Sequence, residues 1–147
     1  MELRILAHLS KDQRMQAVFK AGGNIHRDTS QGTQLPYDVA KVYNYAMVYG
    51  GDDEVLMDNT GMSDISVVRG YRQRWMETYP EAWAWIQRQR QQGMRDGYVE
   101  TLLGRRMMLP YEKGESHAAN CAVNYPIQGT AAEVFKLQAL IVDALEV

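Results

Sequence analysis

One lysine and three tyrosines stand four residues apart at Tyr37, Lys41, Tyr45 and Tyr49. A helix turns ~100° per residue, so this spacing puts all four on one face, together with Asp38 and Val48. Lys41 offers a compact positive charge suited to a phosphate, and Tyr45 and Tyr49 offer flat amphipathic surfaces suited to a base or sugar. Val39, Val42, Tyr43, Ala46 and Met47 form the opposite, conventional apolar stripe. A second reading stays open on this helix alone: it packs on two sides, and Lys41 snorkels to water.

The elements that must position this face follow from local pattern. Leu3, Ile5, Leu6 and Leu9 predict a short helix ending near Ser10. Ser10 with Gln13 reads as a capping box for a second helix, stopped by Gly22-Gly23. Residues 24–36 are polar and read as a loop, with Pro36 opening the Tyr37–Tyr49 helix. Gly50-Gly51 ends that helix or serves as a hinge, and an acidic loop follows. Ser63 is the expected cap of a helix running to about Glu77, which Tyr79-Pro80 breaks. A further helix spans Pro80 to Arg95 and stops at Gly97. Val99, Thr101 and Leu103 alternate before Gly104, predicting a β-hairpin over Tyr98–Leu109. A short helix from Ser116 to Asn124 is cut by Pro126, and a long apolar one runs from Gly129 to Val147. The expected class is mainly α (α+β), helical with one small hairpin.

At 147 residues the chain fits one domain, and Cys121, its single cysteine, excludes an internal disulfide or a cysteine metal cluster and suits a reducing compartment. No run approaches the ~18 apolar residues of a spanning helix, so no membrane role is expected. The net charge of −2 conceals an uneven distribution: residues 50–68 hold five acids and no base, whereas residues 69–110 hold eight of the eleven arginines. That arginine-rich stretch either faces phosphates or forms ordinary surface ion pairs.

Four strings share a further property. KVYNYAMVYG, from Lys41 to Gly50, resembles motif B of the family A DNA polymerases. MELRILAHLS at residues 1–10 is similar to the end of that family's motif A. GYVETLLGRR at 97–106 and NYPIQGTAAEVFKL at 124–137 resemble two further blocks, in the same order. The resemblance covers essentially the whole chain and implies a fingers subdomain with adjoining palm: palm-derived helices at 1–23, fingers helices at 24–96 with motif B at 41–50, the hairpin at 97–110, and palm-proximal helices at 111–147.

The resemblance implies roles residue by residue. Lys41 would bind the incoming triphosphate and donate a proton to the leaving pyrophosphate, as a positioned acid beside developing charge. Tyr45 would stack near base and sugar; in this family tyrosine there is associated with accepting dideoxynucleotides. Tyr49 would sit beside the templating base, and His26 near the phosphates. Glu2 matches the steric gate that disfavours a ribose 2′-hydroxyl. Thr101, Arg105, Arg106, Asn124 and Gln128 match positions that touch the template-primer. For Arg105 and Arg106 a plain exposed hairpin is the alternative, and for Asn124 and Gln128 helix capping around Pro126. Several positions depart from the pattern. Tyr37 stands where the family has arginine, Ala46 replaces a glycine, Asn120 stands where many members have arginine, and the 27–40 loop is short.

The family's two-metal chemistry requires carboxylates about 3.5–4 Å apart around Mg²⁺. The resemblance places one aspartate four positions before Glu2 and a His-Asp-Glu motif beyond the long helix, both outside this chain. Asp52-Asp53-Glu54 reads as solvated charge. The expectation is therefore part of a polymerase acting in DNA replication or repair, inactive alone. Mg²⁺ belongs to the full enzyme, with no metal bound here. The expected partners are template-primer DNA, deoxynucleoside triphosphates and the rest of the polymerase, with self-association through the palm surface open. The expected setting is cytoplasmic, of bacterial, phage or plasmid origin, with an organelle open. Two other classes remain: a non-catalytic nucleotide- or DNA-binding module, such as half of a split polymerase, and a helical protein whose tyrosine face meets a partner.

Overall fold

A single carboxylate begins two helices. In the computed structural model, which describes residues 1–145, α1 (Glu2–Ser10) ends as Lys11 turns left-handed at φ 58°. The cap of α2 (Gln13–Lys20) therefore falls on Asp12 and not on Ser10, whose hydroxyl instead accepts from the Asp12 amide at 3.2 Å. Asp12 Oδ1 accepts from Met15 N at 2.9 Å, and Oδ2 accepts from Ala82 N at 3.1 Å, in the first turn of α7 (Pro80–Asp96). Burial raises the Asp12 pKa although both amides pull it down. Asp12→Ala leaves two buried amides without acceptors, so it is expected to lower unfolding free energy by about 2–4 kcal/mol. Asp12→Asn keeps one acceptor and should lose less; equal losses in urea denaturation would mean that the second bond contributes nothing.

Two segments expected as loops are helices. α3 (Ile25–Thr33) starts at Asn24, whose Oδ1 accepts from the amides of His26 and Arg27 at 2.9 and 3.2 Å. Its buried stripe is Ile25, Thr29 and Thr33, and each threonine hydroxyl bonds back to the carbonyl four residues earlier. α4 (Tyr37–Tyr49) follows. α5 (Asp53–Thr60) fills the acidic segment, because Asp52 caps it through Val55 N, Asp53 and Glu54 favour its first turn, and Leu56 is fully buried. α6 (Ile65–Thr78) is capped by Asp64, one residue beyond the expected Ser63.

After α7, β1 (Tyr98–Glu100) and β2 (Arg106–Met108) pair antiparallel, with Val99 opposite Met107. A 3-10 turn at Tyr111–Lys113 leads into α8 (Glu115–Leu145), which runs unbroken through Pro126. The missing Pro126 N–H is outweighed by packing: Ala118, Cys121 and Ala122 are buried under the hairpin, and Val123 and Ile127 in the main core, with Pro126 itself buried between them in sequence. The expected end of this helix at Val147 lies outside the described residues. No helix among the described residues is long and apolar enough to cross a membrane.

The main core gathers Leu6, Met15, Tyr43, Trp75, Ile86 and Ile127 from six helices and Tyr79 from the α6–α7 junction. A smaller one under the hairpin joins Val99 and Leu109 to Ala118, Cys121 and Ala122. It closes over Gly93, where a Cβ would lie 2.7 Å from that of Ala122.

Candidate functional site

Helix α4 lies against α3, α5 and α8 and leaves one edge open. Tyr37 and Lys41 are exposed and Tyr45 and Tyr49 half-buried, and Lys41 takes part in no ion pair among the described residues. Val48 departs from the wheel: it is fully buried, next to Tyr49, which bonds Glu2 of α1, and close to Gly50, which abuts Asn120 of α8. The Tyr45 and Tyr49 rings stack, with centroids 6.3 Å apart and planes at 30°, and His26 lies 5.7 Å from Tyr45. Tyr37 faces the same imidazole edge-on, and its hydroxyl accepts from Asn24 Nδ2 at 3.2 Å. The residue standing in the family's arginine position is thus tied to the start of α3.

Tyr45 separates two clefts. One, of about 580 Å³, is lined by Tyr45, Ala46, Tyr49, Gly50, Asp52 and Asn120 among others. The other, of about 100 Å³, lies between Glu2, Arg4, Phe19, His26 and Tyr45. Glu2 joins the site through Tyr49, whose hydroxyl donates to Glu2 Oε1 at 2.5 Å. Burial, then this bond, raises the Tyr49 pKa, with the Gln128 amide opposing. On α8, Asn120, Asn124 and Gln128 repeat every four residues and so share a face. Asn120 lines the larger cleft, Asn124 keeps a buried Oδ1 without a partner among the described residues, and Gln128 is exposed.

His26 is gripped from behind by residues that sequence reasoning missed. Asn44 Nδ2 lies 2.9 Å from His26 Nδ1, and Asn44 Oδ1 accepts from Trp75 Nε1 at 2.8 Å and lies 3.0 Å from Thr29 Oγ1. Thr29 meets the Tyr79 hydroxyl, which donates to Asp28, itself paired with Arg14. The available signal was an asparagine flanked by two tyrosines on the most apolar helix of the region. Burial, then the charge of Lys41, lowers the His26 pKa.

The hairpin sites are more internally engaged than expected. Thr101 is buried, donating to Glu133 Oε1 at 2.8 Å and accepting from the Arg105 amide at 3.1 Å. It braces the turn from beneath and is not presented to solvent. Arg105 pairs with Glu133, and Arg106 pairs with Glu100 while lying over the Tyr98 ring; both arginine side chains remain about half exposed or more, at 49% and 66%. Elsewhere the arginine-rich stretch is largely occupied as well. Arg69 and Arg72 both hold Asp53, Arg74 bonds the Thr33 carbonyl, and Arg90 donates to Asn120.

No group of three or more metal-ligating side chains occurs among the described residues. Asp52 is used as a helix cap and Asp53 as the partner of two arginines, so the acidic segment does not fit Mg²⁺.

The geometry has counterparts in known proteins. The chain is 34% identical to the thermostable DNA polymerase I of Thermus filiformis over 92% of its length, and 35% identical to the DNA polymerase I of Streptococcus pneumoniae over 97%. In both cases it spans 18% of the relative. The POL domain of Pol1 from M. smegmatis, in complex with DNA primer-template and dNTP, superposes with a TM-score of 0.84 at 26% identity, over 97% of this chain and 28% of that one. The family profile for DNA polymerase family A matches residues 1–145, and with it the open face of α4, the hairpin and α8 alike: this chain belongs to DNA polymerase family A.

Proposed function

We propose that the chain is the fingers and adjoining palm portion of a DNA-directed DNA polymerase, contributing contacts to a deoxynucleoside triphosphate and to template-primer DNA during replication or repair. The observation that carries the reading is the open edge of α4, where exposed Lys41 lies on the same face as the stacked Tyr45 and Tyr49, beside His26 and Glu2. Lys41 holds the triphosphate and supplies a proton as pyrophosphate leaves. Tyr45 lies along base and sugar, at the wall between the two clefts. Tyr49 borders the larger cleft, where the templating base sits, and its bond to Glu2 fixes that carboxylate where a 2′-hydroxyl would otherwise enter.

Arg105 and Arg106 meet the DNA backbone by exchanging their internal acid partners for phosphates, with Thr101 holding the turn that carries them. Asn124 and Gln128 reach the duplex from α8. The Mg²⁺ of the complete enzyme is held by carboxylates outside these residues, and the chain alone is inactive. The exposed apolar strip on α8, including Phe135, Leu140 and Ile141, is covered by the rest of the polymerase or, in isolation, by a second copy. The bacterial relatives support a cytoplasmic setting.

The test is titration of the chain with dATP. A charge-assisted contact to phosphate contributes about 1.5–3 kcal/mol, so Lys41→Ala is expected to weaken binding roughly 10- to 100-fold. Equal affinity of the two proteins would remove the triphosphate from this face and leave the tyrosines as a partner surface.

A further inference from the structure

We infer that Asn44 is a positioning residue that fixes His26 as the Nε2–H tautomer and so presents a neutral hydrogen-bond donor to the triphosphate. The inference rests on the nucleotide reading of the α4 face and adds to it the chemical state of one of its groups.

Two bonds determine the state. The indole of Trp75 only donates, so the Asn44 atom 2.8 Å from Trp75 Nε1 is the amide oxygen. Asn44 is fully buried, and a flip would set its NH₂ group against the Trp75 indole N–H, so the amide keeps this orientation. Its NH₂ group therefore faces His26 Nδ1 at 2.9 Å, and that nitrogen must offer a lone pair. A neutral imidazole with an accepting Nδ1 carries its proton on Nε2. Nε2 takes no protein partner among the described residues, and the ring borders the small cleft beside Glu2, Arg4 and Tyr45.

Protonating His26 would set an N–H against the amide N–H of Asn44, so this contact opposes the imidazolium form. The surrounding groups act on the same ring: Lys41, Tyr37 and Tyr45 from α4, the Met1 ammonium, Glu2 and Arg4 from α1, and Arg27 and Asp28 on α3 itself. Burial and Lys41 lower its pKa, so the ring is neutral at neutral pH, and it can still donate because Asn44 leaves the proton on the outward nitrogen. Lys41 supplies charge, and His26 supplies direction.

The test is long-range proton–nitrogen NMR of the chain labelled at histidine, with His26→Gln used to assign its signal apart from His8 and His117. At pH 8 the wild-type ring is expected as the Nε2–H tautomer, and dATP should shift Nε2 more than Nδ1. Asn44→Asp keeps the shape and the bond from Trp75 but turns the donor facing Nδ1 into an acceptor. It should move the proton to Nδ1, raise the pH at which His26 titrates, and weaken dATP binding about tenfold at pH 8, with affinity returning as the ring protonates at lower pH. An Nδ1–H tautomer in the wild-type chain overturns the inference even if the variant fails to fold. So does an unchanged tautomer in Asn44→Asp. An Nε2 signal unmoved by dATP, while Lys41→Ala still weakens binding, overturns the inference and spares the nucleotide reading; loss of both effects removes both.

Discussion

Trp75→Ala is expected to remove about 3–5 kcal/mol of unfolding free energy, a large share of what a domain of this size possesses. The indole is fully buried, its ring meets Tyr79 edge-on with centroids 5.3 Å apart, and its N–H donates to Asn44 Oδ1 at 2.8 Å. Packing and the polar bond can be separated. Trp75→Phe keeps most of the apolar volume and deletes the donor, so its loss should be nearer 1–2 kcal/mol. Urea denaturation followed by circular dichroism gives both numbers from the midpoint and slope. A loss below about 1 kcal/mol for Trp75→Ala would mean that the α3–α4–α6 junction relaxes around the hole. The two substitutions also report on the site. Once the indole donor is gone, nothing holds the Asn44 oxygen toward α6, and its grip on His26 loosens.

That junction also shows why part of the structure was illegible in the sequence. The face of α4 was readable because lysine and tyrosine at a four-residue repeat are unlike the usual solvated side of a helix. The hairpin was readable because Gly97 and Gly104 bracket an alternating run. Helix α3 was not, because its buried stripe is made of threonines. Thr29 and Thr33 are buried with their hydroxyls satisfied by the helix's own carbonyls, so a polar composition concealed an inward face. The same blindness hid α5, where three acids in a row read as solvent-facing charge although one caps the helix and one binds two arginines.

Pro126 misled in the opposite direction. A local rule predicted a break, and burial of the surrounding turns of α8 overrode it. Around the open face of α4, the residues that form the face were legible as a group and those that hold them were not. Asn44 acquires its role only when Trp75, thirty-one residues later, is folded against it. The charge distribution had a similar fate: the acidic and arginine-rich segments meet through Asp53 with Arg69 and Arg72, so much of the apparent phosphate-binding potential is internal pairing.

Gly50 gives the second large effect, and it lies where α4 meets α8 at the edge of the larger cleft. Its φ of 75° is left-handed, and a Cβ there would stand 2.1 Å from Asn120 Oδ1 and 2.4 Å from Asn120 Cγ. Gly50→Ala therefore carries two costs. The left-handed backbone costs about 1–2 kcal/mol for a residue with a Cβ, and forcing Asn120 aside costs about 1–3 kcal/mol more. A total of about 2–5 kcal/mol is expected.

The costs separate in a double-mutant cycle, because Asn120→Ala removes the two nearest atoms and leaves the backbone term with a milder contact to its Cβ at 3.0 Å. Asn120 also accepts from Arg90 Nη2 at 3.1 Å, and Arg90 Nε is already buried without a partner among the described residues, so Asn120→Ala alone destabilises as well. The two substitutions together should then lose less than the sum of the singles by at least about 1 kcal/mol, a coupling of the size that contacting residues show. Additive losses would mean that Asn120 swings freely away from the end of α4. In that case Gly50 is required by its turn alone, and the wall of the cleft beside Tyr49 is soft. A strong coupling means that this wall is built by the close approach of two helices, and that the stacked tyrosines inherit their position from it.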